Sequence, residues 1–134
     1  MTREIKKVFV EKSDYIKFRT IAQKFYEGAL SEIKMMRWNA AGLLIVHSAI
    51  AYADSLTVKY DGCKSKSDNH QDTVILLEQL MPTESQKNNA ILQLGRLIDH
   101  KTTVAYSGDL YDKDDIDKLL KHLERFKTWV EKQY

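Results

Sequence analysis

The sequence predicts an all-α fold, an antiparallel up-and-down bundle of four long helices plus one short helix, and three observations predict it. Apolar residues recur at spacings of three and four along most of the chain, the pattern of one helical face. Only one proline and five glycines interrupt 134 residues, so few points can stop a helix. The gaps between periodic stretches are short, and short connections join antiparallel neighbours. With 43% apolar residues the chain fills one core, so residues 1–134 are expected to form a single domain.

Residues 1–12 carry Ile5, Val8, Phe9 and Val10 without a clean period, and an extended arm, a short strand and a helical extension all fit. From Ser13, a candidate N-cap, the ridge Tyr15, Phe18, Ala22, Phe25, Ala29, Ile33 and Met36 predicts the first long helix. A second runs from near Asn39 to about Tyr60 and stops where Gly62 can turn left-handed. Between Ala40 and Ala53 it is apolar on nearly every side, which makes it the central helix. The small, polar, basic stretch 63–69 reads as a loop, with Ser67 or Asp68 capping a short helix that carries Val74, Leu77, Leu80 and Met81. Beyond Pro82, Thr83 and Gln86 have capping-box spacing, and the helix they start places Ile91, Leu94, Leu97, Ile98 and Ala105 on one face before Gly108. Asp112 caps the last helix, whose ridge is Ile116, Leu119, Leu120, Leu123, Phe126 and Val130.

Lys and Arg number 21 against 19 Asp and Glu, and a net charge of +2 cannot coat the surface with one sign. Any contact with a nucleic acid therefore needs a local basic patch. One cysteine, Cys63, and a charged N-terminus where a secretory leader needs an apolar run point to a cytoplasmic setting. The stretch 40–53 is short for a membrane span and reads as a buried helix instead.

Cofactor and metal signatures are missing: the sequence has no Gly-rich phosphate loop, no cysteine pair and no Glu-x-x-His. Neither a cofactor nor a metal is expected. Three constellations carry possible chemistry. His47 and Asp54, seven residues apart, share a face of the central helix, either as satisfied structural groups or as the lining of a ligand cleft. In helix four, Asn89, Gln93, Arg96 and His100 form a polar stripe, a solvated face or a binding face, while Lys101 falls among apolar positions and must either snorkel out to solvent or meet an acid, for which Asp54 is a candidate. The run Lys64-Ser65-Lys66-Ser67 ahead of a helix N-terminus, with His70 beyond it, reads as an ordinary surface loop or as a phosphate cradle. The four histidines, His47, His70, His100 and His122, lie on four different predicted helices.

The segment His47-Ser-Ala-Ile-Ala-Tyr-Ala-Asp54-Ser-Leu-Thr-Val, with Gly62 and Ser67-Asp-Asn-His70 after it, resembles the core of HEPN domains. Lys101-Thr-Thr-Val-Ala-Tyr106-Ser-Gly is similar to the end of that family's penultimate long helix, and the final helix with Phe126 and Trp129 to its closing helix; the resemblance spans about residues 13–132. It implies a helical bundle, often a homodimer, and in many members a partnership with a minimal nucleotidyltransferase in prokaryotic toxin–antitoxin or defence systems. Active members are metal-independent ribonucleases with an Arg, four to six residues and a His. Here Arg96 and His100 have only three residues between them and Arg37 and His47 have nine, a departure that favours a non-catalytic module binding nucleotide or RNA. If the chain is instead a ribonuclease, the resemblance assigns the acid–base role to His100 and charge stabilisation on the phosphate to Arg96. A purely structural dimerisation scaffold is the third class.

Overall fold

The computed structural model describes residues 4–66 and 69–134 and is mostly helical. The described residues form a strand β1 (Lys7–Phe9), a 3-10 turn (Lys12–Asp14), α1 (Tyr15–Lys34), α2 (Trp38–Asp61), β2 (Cys63–Ser65), α3 (Gln71–Leu80), α4 (Lys87–Asp99), α5 (Lys101–Tyr106) and α6 (Lys113–Glu131). Helix α2 is the centre, with α1, α3, α4, α5 and α6 all packed on it. Its Ala- and Ile-rich surface is buried continuously from Ser48 to Val58, as an apolar surface on every side requires. By length and composition α2 could cross a bilayer, but 83% of its most apolar window is buried inside the protein. It is the core helix of this fold.

Helix boundaries agree with the periodic ridges more closely than with the proposed caps. Ser13 lies in the 3-10 turn and does not cap α1; Asp14 N donates to Glu11 O at 2.9 Å and satisfies the backbone there. Met36 is not on the apolar face of α1: it sits past the helix end at φ 58° and is 73% exposed. Gly62 does close α2 in the left-handed region at φ 62°, its N–H donating to Val58 O. The candidate caps Ser67 and Asp68 lie outside the described residues; Asn69 Oδ1 accepts from Gln71 N at 3.1 Å at the start of α3. Thr83 and Gln86 form no capping box. Glu84 replaces it, one carboxylate oxygen accepting from Gln86 N at 3.0 Å and the other from Trp129 Nε1 of α6 at 2.7 Å. Asp112 and Asp115 make the full capping box that starts α6.

Two elements differ from the sequence reading. The stretch 63–69 is not all loop: Cys63–Ser65 pairs antiparallel with Lys7–Phe9, so the ambiguous N-terminal arm contains a strand. The fourth predicted helix is two helices, broken at His100, whose N–H bonds to Leu97 O at 3.1 Å. Packing explains the break. Val104 of α5 sits so close to Gly42 of α2 that a Cβ there would lie 2.7 Å from Val104 Cγ2. Asn39 then fastens the segment, donating from Nδ2 to Val104 O and Asp109 O and accepting from Tyr111 N, each at 2.9 Å. Ala105, expected on the buried face, is exposed as a result.

Glycines inside helices test this packing. Gly95 in α4 has nothing within 4 Å of its missing Cβ, whereas Gly42 meets Val104 and Ile116. Gly95→Ala is expected to stabilise the fold by about 0.5–1 kcal/mol through helix propensity. Gly42→Ala should destabilise it by about 1–3 kcal/mol through overpacking. Urea unfolding of the two variants beside the parent measures both signs.

Candidate functional site

The ridges that bury α4 and α6 against the core leave a polar seam between the two helices. On α4 the seam is the stripe Asn89, Gln93, Arg96 and His100; on α6 it is Lys118, Lys121, His122 and Arg125. Gln93 is 9% exposed and His100 and His122 are half-buried, while Asn89 and Arg96 are exposed, so the stripe runs from the wall of a groove out to solvent.

The groove has two parts. A cleft of about 250 Å³ is lined by Arg96, Asp99, His100, Asp115, Lys118, Leu119 and His122. Beside it lies an open groove of about 920 Å³, whose lining includes Gln86, Asn89, Gln93, Lys121, Arg125 and Trp129. Gln93 links them, since its Oε1 accepts from His122 Nδ1. With that acceptor opposite it, Nδ1 carries the proton and Nε2 of His122 is left as the basic nitrogen. His100 Nδ1 lies 2.7 Å from Tyr111 Oη, at the start of the chain leading into α6. When Tyr111 donates in that bond, the His100 proton sits on Nε2, and the cleft holds one imidazole N–H and one imidazole lone pair.

Two cations, Arg96 and Lys118, and two carboxylates, Asp99 and Asp115, line the cleft, and both carboxylates already accept hydrogen bonds. Asp115 belongs to the α6 capping box, and Asp99 accepts from Gln71 Nε2 at 2.8 Å. Arg96 and Lys118 form no salt bridge among the described residues and remain available to an anion. Burial and the nearby cations Arg96 and Arg125 hold the His122 pKa below the usual histidine value, with His100 and Lys121 adding to the effect. Neutral at pH 7 and surrounded by positive charge, His122 gains a proton more readily when an anion arrives.

The other sequence candidates are placed elsewhere. Asp54 is 8% exposed and faces Lys64 Nζ at 3.8 Å, not Lys101. Burial raises the Asp54 pKa to about 6, with Lys64 acting in the opposite direction. Lys64 also lies over the Phe18 ring at 5.6 Å, so β2 folds it back onto the body and away from a loop cradle. Lys66 is exposed, His70 is half-buried at the start of α3, and Ser67 lies outside the described residues. His47 and Asp54 are separated by about 10 Å along α2, and His47 sits beside the Phe25 ring at 5.9 Å instead. Burial, and then the charge of Lys101, lower the His47 pKa. Of the residues singled out in the sequence, Arg96 and His100 share the cleft, and Asn89 and Gln93 the adjoining groove.

Sequence reading missed His122 and Lys118 as parts of that site. Their signal was present as a second polar stripe, Lys118, His122 and Arg125, at spacings of four and three on the last helix. Nothing in the sequence says that this stripe meets the stripe of α4. Compared with models of known families, with curated proteins and with solved structures, the chain matches none.

Proposed function

We propose that the chain is a HEPN-like antiparallel helical bundle, cytoplasmic, that binds RNA or nucleotide phosphate in the α4–α6 cleft. The observation carrying this reading is the convergence of Arg96, Lys118, His100 and His122 on one cleft of about 250 Å³. A guanidinium, an ammonium and two imidazoles suit a phosphodiester, and the adjoining groove with the amides of Asn89 and Gln93 offers hydrogen bonds to a base. A minimal nucleotidyltransferase as protein partner and a homodimeric state rest on the family resemblance, and co-purification on co-expression tests the first.

Fluorescence anisotropy with a short single-stranded RNA tests the site. Arg96→Ala and Lys118→Ala are each expected to weaken binding about tenfold and to reduce its salt dependence by about one ion. Because a phosphate favours the imidazolium, affinity should increase as pH falls from 8 to 6, and His122→Ala should flatten that dependence. Equal affinity of the parent and both cation variants refutes the reading.

A second reading, the metal-independent ribonuclease, is favoured by one observation: the cleft holds a second histidine. His122 Nε2 would accept the proton of the ribose 2′-hydroxyl, His100 would donate to the leaving 5′ oxygen, and Arg96 would face the charged phosphorus oxygens. Cleavage of an RNA but not of its 2′-deoxy counterpart, lost in His100→Ala and His122→Ala, distinguishes it from binding alone.

A further inference from the structure

Strand β1 has an open edge. Val10 N donates to Gly62 O at 2.8 Å and Lys66 N to Lys6 O at 2.9 Å, while Val8 is opposite Lys64 in the register. Even-numbered residues of β1 therefore turn their backbone groups towards β2. By the alternation of an antiparallel ladder, the N–H and C=O of Lys7 and Phe9 point outward. No third strand takes them up among the described residues. The side chains along this edge are uncovered as well: Phe9 is 83% exposed and Val8 38%, with Lys7 and Glu11 also exposed. Soluble proteins protect such an edge with proline, a bulge, a covering element, a very short strand or a lysine. This edge is short and carries Lys7, but it also presents an exposed aromatic ring.

We propose that a second copy of the same chain occupies this edge, the two β1 strands pairing antiparallel about a two-fold axis at Phe9. The result is a four-stranded sheet running β2–β1–β1–β2 across a dimer. The sequence of the strand and the two residues after it is complementary to itself in that register. Phe9 lies opposite Phe9 of the second copy, and Lys7 lies opposite Glu11 of the second copy on both sides of the axis. Alternative registers lose this match. Centring on Lys7 sets two lysines face to face, and centring on Val8 sets Lys7 against Phe9 and Glu11 against Ile5. The Lys7–Asp61 contact, at 3.9 Å with both side chains at least one-third exposed, leaves the ammonium free to serve Glu11 of the second copy too. A pairing this short covers less surface than a standard stable interface, so the dimer is weak, with dissociation in the range of ~10–100 µM.

Sedimentation velocity over a concentration series is the test, read against the 15.6 kDa mass of one chain. The parent protein is expected to shift from one to two chains across that range. Lys7→Glu alone, or Glu11→Lys alone, sets like charges opposite each other and should weaken association at least about tenfold. An equimolar mixture of these two variants restores both opposite-charge pairs and should recover the dimer. Phe9→Pro, which removes both the outward-facing N–H and the exposed ring at the axis, should abolish it. Helical circular dichroism equal to the parent's verifies that each variant is folded; a misfolded single variant leaves the Phe9→Pro comparison as the deciding one. A parent that stays monomeric at ~500 µM, well above the expected range, or a dimer indifferent to these changes, overturns the proposal.

Discussion

Lys87→Met is expected to lower the unfolding free energy by about 2–3 kcal/mol, because it removes a buried cap that joins two helices. The Lys87 side chain is 5% exposed as a residue, and its Nζ donates to Glu78 O at 2.7 Å and to Met81 O at 2.8 Å. Those carbonyls belong to the end of α3, where the helix leaves its last acceptors unpaired. Glu78 adds its carboxylate at 3.8 Å but is half-exposed, so the ion pair itself contributes little. Methionine matches the length of the stem and none of the donors, and leaves both carbonyls without a partner. Lys87→Arg, which keeps charge and donors, should recover part of the loss. Chemical denaturation of the three proteins measures it, and a methionine variant as stable as the parent contradicts the cap.

Asp54→Asn is expected to stabilise the protein at pH 8 by up to about 3 kcal/mol and to change little at pH 4. Burial raises the folded pKa of Asp54 from 3.8 to about 6, so the fold prefers the protonated acid. The contribution of a raised carboxyl is therefore fully present below its unfolded value and is lost as pH rises through about 6. Asparagine is neutral throughout and is spared that loss. Lys64 at 3.8 Å offsets only part of the cost, being itself one-third exposed. Melting temperatures of parent and variant across pH 4–8 should therefore diverge as pH rises, and parallel curves contradict the assignment.

The helical content was legible because it is written in local spacing. Ile116, Leu119, Leu123, Phe126 and Val130 recur at three and four and are all buried. The left-handed stop at Gly62 and the cap at Asp112 follow from the same local chemistry. The break at His100 was not legible. No proline or glycine marks it, and the ridge from Ile91 to Ala105 continues through it. What bends the chain is Gly42 and Asn39, about sixty residues upstream, which receive Val104 and the turn after it. The strand at Cys63–Ser65 was hidden for a related reason, since its pairing partner lies more than fifty residues away at Lys7–Phe9.

The candidate site divides along the same line. Arg96 and His100 share a helical face by their spacing alone, and that much a linear reading supplies. Lys118 and His122 join them only because α6 returns alongside α4, and Asp54 acquires Lys64 as its neighbour only because β2 folds back onto α2. By itself the sequence determined the helices, the central place of α2 and the polar stripe of α4, since backbone periodicity and burial act over a few residues. Tertiary structure alone decided which stripes face each other, which charges pair and which strand edge stays open. Those depend on contacts between segments distant along the chain, and spacing carries no information about such distances.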